Sequence, residues 1–201
     1  DLLDVGGPGQ SHAEQDPRTW WAGVRTAVRG LPTPTRAGVV AVAVDGTSGT
    51  VLLTDGDGTP VGRALMYDDA RALAEAASLH GVAPPEAAVH SATSGLAKAL
   101  WLAARAPGEG RRLVHQADWI LGQLCGRPGL GDEHNALKLG YDPVARRWPA
   151  WLARTALPHD WLAEVLPAGT PVGVIDRAAA AELGLPRTAI AVAGTTDSTA
   201  G

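Results

Sequence analysis

Two valine-rich runs each break into a short segment of glycine, threonine, serine and aspartate, and this repeated pattern constrains the fold more than any other feature. The first is Gly38–Val44, followed by Asp45-Gly46-Thr47-Ser48-Gly49-Thr50. The second is Ala189–Ala193, followed by Gly194-Thr195-Thr196-Asp197-Ser198. Short β-branched runs bounded by turn residues predict buried strands. The second predicts a strand ending in a tight turn that opens a helix. A helix N-terminus presents free backbone N–H groups and a positive dipole end, a seat for phosphate. An aspartate beside that seat can take a proton from an attacking hydroxyl, which points to phosphoryl transfer to an alcohol. An ordinary strand–turn–helix with a capping aspartate accounts for the same residues.

Strand and helix signals alternate along the rest of the chain. Asp1–Val5 predicts a strand closed by Gly6-Gly7-Pro8. Asp16-Pro17 starts a helix carrying Trp20, Trp21, Val24, Ala27 and Val28, ended by Leu31–Pro34. Thr50–Thr54 and Pro60–Leu65 predict strands joined as a hairpin by Asp55-Gly-Asp-Gly58. Further helices are expected from Asp68/Asp69 to Leu79, over Ser94–Ala104 and over Ala117–Cys125, with Leu113–His115 a short strand between the last two. Gly129–Asn135 reads as a loop with a short helix after Asp132. Pro149–Thr155 and His159–Val165 read as short helices, Thr170–Ile175 as a strand and Arg177–Leu183 as a helix. This alternation predicts an α/β layered domain with a mixed sheet flanked by helices.

Composition removes several function classes. A net charge of −4 supplies no basic field for nucleic acid and no polybasic membrane anchor. No apolar run reaches the roughly 18 residues that cross a bilayer. The lone Cys125 excludes an internal disulfide framework and a cysteine zinc site, so a cytoplasmic location is expected. His134 has no metal-ligand partners at the right spacing, so no metal site built from protein ligands alone is read. The other five histidines read as surface or packing residues, and the seven tryptophans as core or interface fill.

Three further segments could face a ligand. Asp45–Thr50 lacks the Gly-Lys-Ser/Thr ending of a nucleotide P-loop. Its glycines permit close backbone approach and its Thr47 and Ser48 hydroxyls suit a sugar, although a hairpin connection uses the same residues. Met66-Tyr67-Asp68-Asp69-Ala70-Arg71 places carboxylates beside an arginine, which suits a polyhydroxy ligand; a helix cap with a surface Asp–Arg pair is the alternative. Gly131-Asp132-Glu133-His134-Asn135 is polar enough to line a pocket.

Together these segments resemble the FGGY carbohydrate kinases, which phosphorylate sugars with ATP on an actin-like (ribonuclease H-like) fold. The resemblance rests on Glu14-Gln-Asp-Pro17 with Trp20-Trp21, Val44–Thr50 with Leu52-Leu53, Leu65–Arg71, and Leu166-Pro-Ala-Gly169 with Gly173 and Ala193–Ser198, in that order. Asn135–Pro143 and Gly194–Ser198 look closest to pentulose kinases of the D-ribulose and D-xylulose type. Glycerol kinases usually carry Arg-Glu where Thr47-Ser48 stands, which argues against glycerol.

The resemblance implies Asp197 as general base and Gly46, Thr47, Ser48 and Asp69 facing a ketopentose. It implies Gly194, Thr195 and Thr196 near the transferred phosphoryl group, with ATP and Mg2+ as cofactors. It leaves a homodimer open. It also implies that residues 1–201 form the sugar-binding N-terminal domain, lacking the family's first phosphate-loop hairpin turn and stopping where the ATP-binding domain starts. Were Asp45–Thr50 itself that loop, Asp45 would face the metal and Thr47 the phosphate. A non-catalytic sugar-binding or regulatory module on this fold, or a kinase for another polyol, are the competing expectations.

Overall fold

A computed structural model of the chain describes residues 13–201. The expected strand Asp1–Val5 lies outside the described residues. In chain order the elements are β1 (Glu14–Gln15), α1 (Pro17–Gly30), α2 (Thr33–Ala37), β2 (Ala41–Gly46), β3 (Val51–Thr54), β4 (Ala64–Leu65), α3 (Leu73–Leu79), α4 (Gly95–Arg105), β5 (Arg112–His115) and α5 (Gln116–Cys125). These are followed by β6 (Leu130–Asp132), α6 (Glu133–Ala136), β7 (Glu164–Leu166), β8 (Pro171–Val174), α7 (Arg177–Leu183), β9 (Ile190–Thr196) and α8 (Asp197–Ala200). Among the described residues no helix is long and apolar enough to cross a membrane.

One sheet has strand order β1-β4-β3-β5, all antiparallel. Its central strand β3, Val-Leu-Leu-Thr, is buried on both faces. Val51 and Leu53 join a core with α3 and α4, while the intervening Leu52 joins a second core with α1, α5 and α7. A strand between two cores reads as a continuous apolar run, and each fully buried leucine contributes about 1.5–3 kcal/mol. A second sheet, β2-β9-β8, is mixed: β9 runs parallel to β2 and antiparallel to β8.

Local signals account for the helix ends. Asp16 accepts from the Arg18 amide and Pro17 occupies the first helical position of α1. Ser94 caps α4 by accepting from the Ala97 amide. Gly126, in the left-handed region at φ 65°, closes α5.

Several expectations are corrected. Residues 68–72 are not helical: the Asp69 amide closes a turn onto the Met66 carbonyl, and α3 starts only at Leu73. The strand expected over Pro60–Leu65 shrinks to β4; its proline has no N–H to give a ladder, and only an isolated bridge joins Pro60 to Thr54. The helix expected over His159–Val165 is a 3-10 turn at His159–Trp161 followed by β7. This strand pairs in parallel with β6, inside the segment read as a loop. The proline at position 34 does not simply stop α1 but sits in the first turn of α2. The final strand continues through Gly194, Thr195 and Thr196, so it enters α8 without a tight turn.

Candidate active site

The two Gly/Thr/Ser/Asp segments are the carboxyl ends of neighbouring parallel strands. Asp45 pairs with Thr195 and Gly46 with Thr196, so β2 releases Thr47 where β9 releases Asp197. Open α/β sheets bind ligands outside the carboxyl ends of such strands. Between the two stretches of register β9 bulges, its Ala193 and Gly194 both opposing Val44 of β2. Gly194 lies so close to it that a Cβ there would sit 1.8 Å from the Val44 carbonyl oxygen. On the β2 side, a Cβ at Gly46 would meet the Ala117 amide nitrogen at 2.9 Å, because the first turn of α5 packs against this strand end. Both glycines therefore let backbones close up beneath the site.

Past Gly46 the chain makes a turn, the Thr50 amide donating to the Thr47 carbonyl, with Gly49 at φ 80°. The Thr47 amide (3.1 Å) and hydroxyl (3.0 Å) both reach Gln116 Oε1 at the start of α5, and the Thr47 and Thr50 hydroxyls meet at 2.7 Å. Thr47 is thus held by the protein. Ser48 Oγ is buried and has no hydrogen-bond partner among the described residues.

Just past β9, at the start of α8, Asp197 is exposed and its Oδ1 accepts from the Ser198 amide at 2.8 Å. The Thr196 hydroxyl contacts those of Ser198 and Thr199. Thr195 is gripped from α6. His134 Nδ1 lies 2.7 Å from its hydroxyl, and Asn135 Nδ2 donates to its carbonyl at 3.2 Å.

A buried polar chain stands behind α6. Asp132 caps the helix by accepting from the amides of His134 and Asn135 and from Asn135 Nδ2. Its own amide donates to Asp118 Oδ1, and Asp118 Oδ2 pairs with the amide and Nδ1 of His115. Burial, and then the neighbouring Asp118 charge, push the Asp132 carboxyl above its ordinary value. His115 is therefore a buried, carboxylate-paired residue, and the expectation of a surface or simple packing histidine is corrected for it.

Asp69 occupies a different environment. It is fully buried, its Oδ2 accepting from the Ala13 amide while Arg71 forks onto both carboxylate oxygens. Arg71 continues to Glu14 at 2.6 Å and lies over the Trp101 ring. The surface Asp–Arg pair read from sequence is thus a buried network that ties β1 to the segment after β4. Beside it, Lys98 is wholly buried and donates to the Met66 carbonyl at 2.7 Å. Burial pushes the Lys98 ammonium down to about 8, against the opposing pull of Asp69 and Asp68. No motif marks Lys98 in the sequence; its signal there is a lone lysine within the apolar stretch 95–102.

Two concavities of about 260 and 310 Å3 lie beside α1 and α5, the first bordered by residues 57–60 and the second by α7, and neither is lined by Thr47 or Asp197. Among the described residues no group of three His, Cys, Asp or Glu side chains is placed to hold a metal. What the two strand ends offer a cation is oxygen, from the exposed carboxylates of Asp45 and Asp197, while His134 Nδ1 is taken up by Thr195. A donor set of this kind fits Mg2+ held chiefly by phosphate and water.

Over residues 3–201 the chain matches the N-terminal domain of the FGGY family of carbohydrate kinases. Its fold is similar to that of xylulose kinase from Rhodospirillum rubrum (TM-score 0.85, 24% identity, 98% of this chain and 43% of that one). It is also similar to glycerol kinase from Plasmodium falciparum, solved with ADP (TM-score 0.80, 15% identity, 97% and 42%). A third relative in structure is gluconate kinase from Lactobacillus acidophilus (TM-score 0.78, 16% identity, 97% and 41%). The chain thus spans less than half the length of these solved proteins. The architecture is the actin-like, ribonuclease H-like ATPase fold, a mixed sheet flanked by helices.

Proposed function

Because the chain belongs to the FGGY family of carbohydrate kinases, as its N-terminal domain, we propose that it forms the sugar-side half of an ATP-dependent kinase. The acceptor is the terminal hydroxyl of a ketopentose, D-ribulose before D-xylulose. The observation that carries this reading is the side-by-side register of the β2 and β9 ends, from which Thr47-Ser48 and Asp197 leave together.

In this reading Asp197 accepts the proton of the sugar hydroxyl as its oxygen bonds to the γ-phosphorus of ATP and the bond to the β-phosphate oxygen breaks, releasing ADP. Its carboxylate is exposed and, among the described residues, steadied by the next amide alone, as a base that must meet a substrate requires. Ser48 Oγ supplies a buried hydroxyl ready for a sugar oxygen. Thr47 and Gly46 shape the floor, and Asp69 acts from behind, fixing the wall through Arg71. The Gly194–Thr196 backbone borders the phosphoryl path. Mg2+ would be held chiefly by the phosphates and water, with the exposed Asp45 carboxylate as the protein oxygen at hand, and would neutralise charge developing on the phosphates. The protein contributes positioning and electrostatics. The ketopentose preference is supported by the similarity of Asn135–Pro143 and Gly194–Ser198 to pentulose kinases and by Thr47-Ser48 in place of Arg-Glu.

The test is ADP release by the full-length protein that contains this chain, with D-ribulose, D-xylulose, L-ribulose, gluconate and glycerol, as wild type and Asp197→Asn. The expected result is ketopentose-dependent release that the substitution lowers by about 10²–10⁴-fold. Sugar binding without ADP release from any substrate would instead make the protein a sugar-binding module.

A further inference from the structure

The last residues of β9 are held from outside their own sheet, by one helical turn, in addition to their pairing with β2. We propose that His134 and Asn135 are positioning residues for Asp197, acting through Thr195. This inference rests on the kinase reading.

The geometry is specific. α6 presents two successive side chains to one residue of β9: His134 takes the Thr195 hydroxyl and Asn135 takes the Thr195 carbonyl, two residues before Asp197. The Asn135 amide can point only one way. Its Nδ2 lies between two oxygen acceptors, Asp132 Oδ2 at 2.7 Å and the Thr195 carbonyl at 3.2 Å, and a flip would set Oδ1 against both. Asn135 is fully buried, and its Oδ1 has no partner among the described residues. A buried acceptor left open is costly. What the side chain offers against that cost is its Nδ2, which holds both Asp132 and Thr195.

The grip is anchored at depth. Asp132 fixes the α6 end through three hydrogen bonds and is itself tied to Asp118, which is tied to His115 on β5. The chain of contacts runs from one sheet to the end of a strand in the other. Beyond Thr195, Asp197 is exposed and, among the described residues, its carboxylate engages the amide of the next residue alone. Its placement is thus inherited from Thr195. A displacement of about 1 Å in a catalytic group can cost 10²-fold in rate.

The experiment uses the full-length protein with its best sugar. Variants are His134→Ala, His134→Asn, Asn135→Ala, Thr195→Val and the double variant His134→Ala/Thr195→Val. His134 leads because it is half-buried and its loss leaves the Asp132 cap intact. Asparagine there keeps a polar atom where Nδ1 stands. We expect His134→Ala to lower kcat about 10–100-fold with sugar KM changed less than about threefold. His134→Asn should recover most of that loss, and the double variant should be no slower than the slower single one. Amide hydrogen exchange should accelerate at residues 195–198 in His134→Ala and Asn135→Ala, and not in β3. An active wild type whose His134→Ala variant keeps kcat within twofold, or losses that multiply in the double variant, would overturn the proposal alone. An inactive wild type would overturn the kinase reading and with it the catalytic role. In that case unchanged exchange at residues 195–198 would overturn the mechanical claim too, and acceleration there would sustain it.

Discussion

Gly194→Ala isolates the packing of the two strands that carry the candidate site. Gly194 is not among the glycines with positive φ, so alanine can adopt its backbone conformation and contact alone decides the outcome. The new Cβ would stand 1.8 Å from the Val44 carbonyl oxygen, 2.8 Å from its carbon and 3.1 Å from its nitrogen. These atoms are backbone in an adjacent strand, backed by α5, and no rotamer change relieves them. Restoring ordinary contact needs a separation of the strands by roughly 1 Å or more. Overpacking against side chains costs about 1–3 kcal/mol, and parting β2 from β9 adds the loss of one or two ladder hydrogen bonds at about 1 kcal/mol each. A loss of about 3–5 kcal/mol is therefore expected, a large share of the roughly 5–15 kcal/mol of a typical domain. Urea unfolding at unchanged m-value measures it. Two glycines calibrate the scale. Gly46→Ala, which meets Ala117 at 2.9–3.0 Å, should lose about 1–3 kcal/mol. Gly23→Ala, exposed in mid-α1 with nothing within 4 Å, should gain about 0.5–1 kcal/mol. A Gly194→Ala loss below about 1 kcal/mol, or an inverted order of the three, would refute the reasoning.

Two further predictions concern the buried charges. Arg71→Ala strands the Asp69 carboxylate in the interior and should cost about 3–5 kcal/mol in urea unfolding; a cost under about 1 kcal/mol would show that the fork does not hold this region. Lys98 carries its proton less readily folded (about 8) than unfolded (10.5), so between those values the unfolded chain binds more protons and stability rises with pH. That rise should amount to about 3 kcal/mol and should be missing in Lys98→Met, and parallel pH curves for the two proteins would contradict it.

How much was legible in the sequence follows from the range of each interaction. The strand β3 and the helices α1, α4, α5 and α7 are signalled locally, by β-branched runs, caps at Asp16 and Ser94, and glycines that close α5 and α7. The β6–β7 pair was not legible: Leu-Gly-Asp and Glu-Val-Leu are three-residue strands without alternation, and each exists because the other does. The Asp69–Arg71 fork was misplaced because residues two apart do not face each other on a helix; they meet here in an irregular turn, where the Arg71 amide and guanidinium both reach the Asp69 carboxylate. At the candidate site, Asp197, Thr47 and Ser48 stood out by motif. The grip of Asn135 on Thr195 joins segments far apart in the chain, and the motif Gly131–Asn135 announced polarity without naming its partner.

Xylulose, gluconate and glycerol kinases are similar to this chain in fold, so under the proposed kinase reading acceptor choice rests on side chains rather than architecture. Within the Thr47–Thr50 turn those side chains are not equivalent. Thr47 spends its hydroxyl on Gln116 and Thr50, whereas Ser48 Oγ is buried and open among the described residues. A hydroxyl kept in that state lowers stability unless a ligand completes it, and leaving a buried polar group unpaired costs about 1–3 kcal/mol. Ser48→Ala should therefore move two observables in opposite directions. The ligand-free protein should gain up to about 1 kcal/mol in urea unfolding, because the open hydroxyl is gone. Binding of the accepted sugar, followed by calorimetry, should weaken by about 10-fold or more, because a neutral hydrogen bond is lost at the site. A variant less stable than the wild type with sugar affinity intact would assign Ser48 to the fold, and acceptor choice would then have to be sought outside this turn.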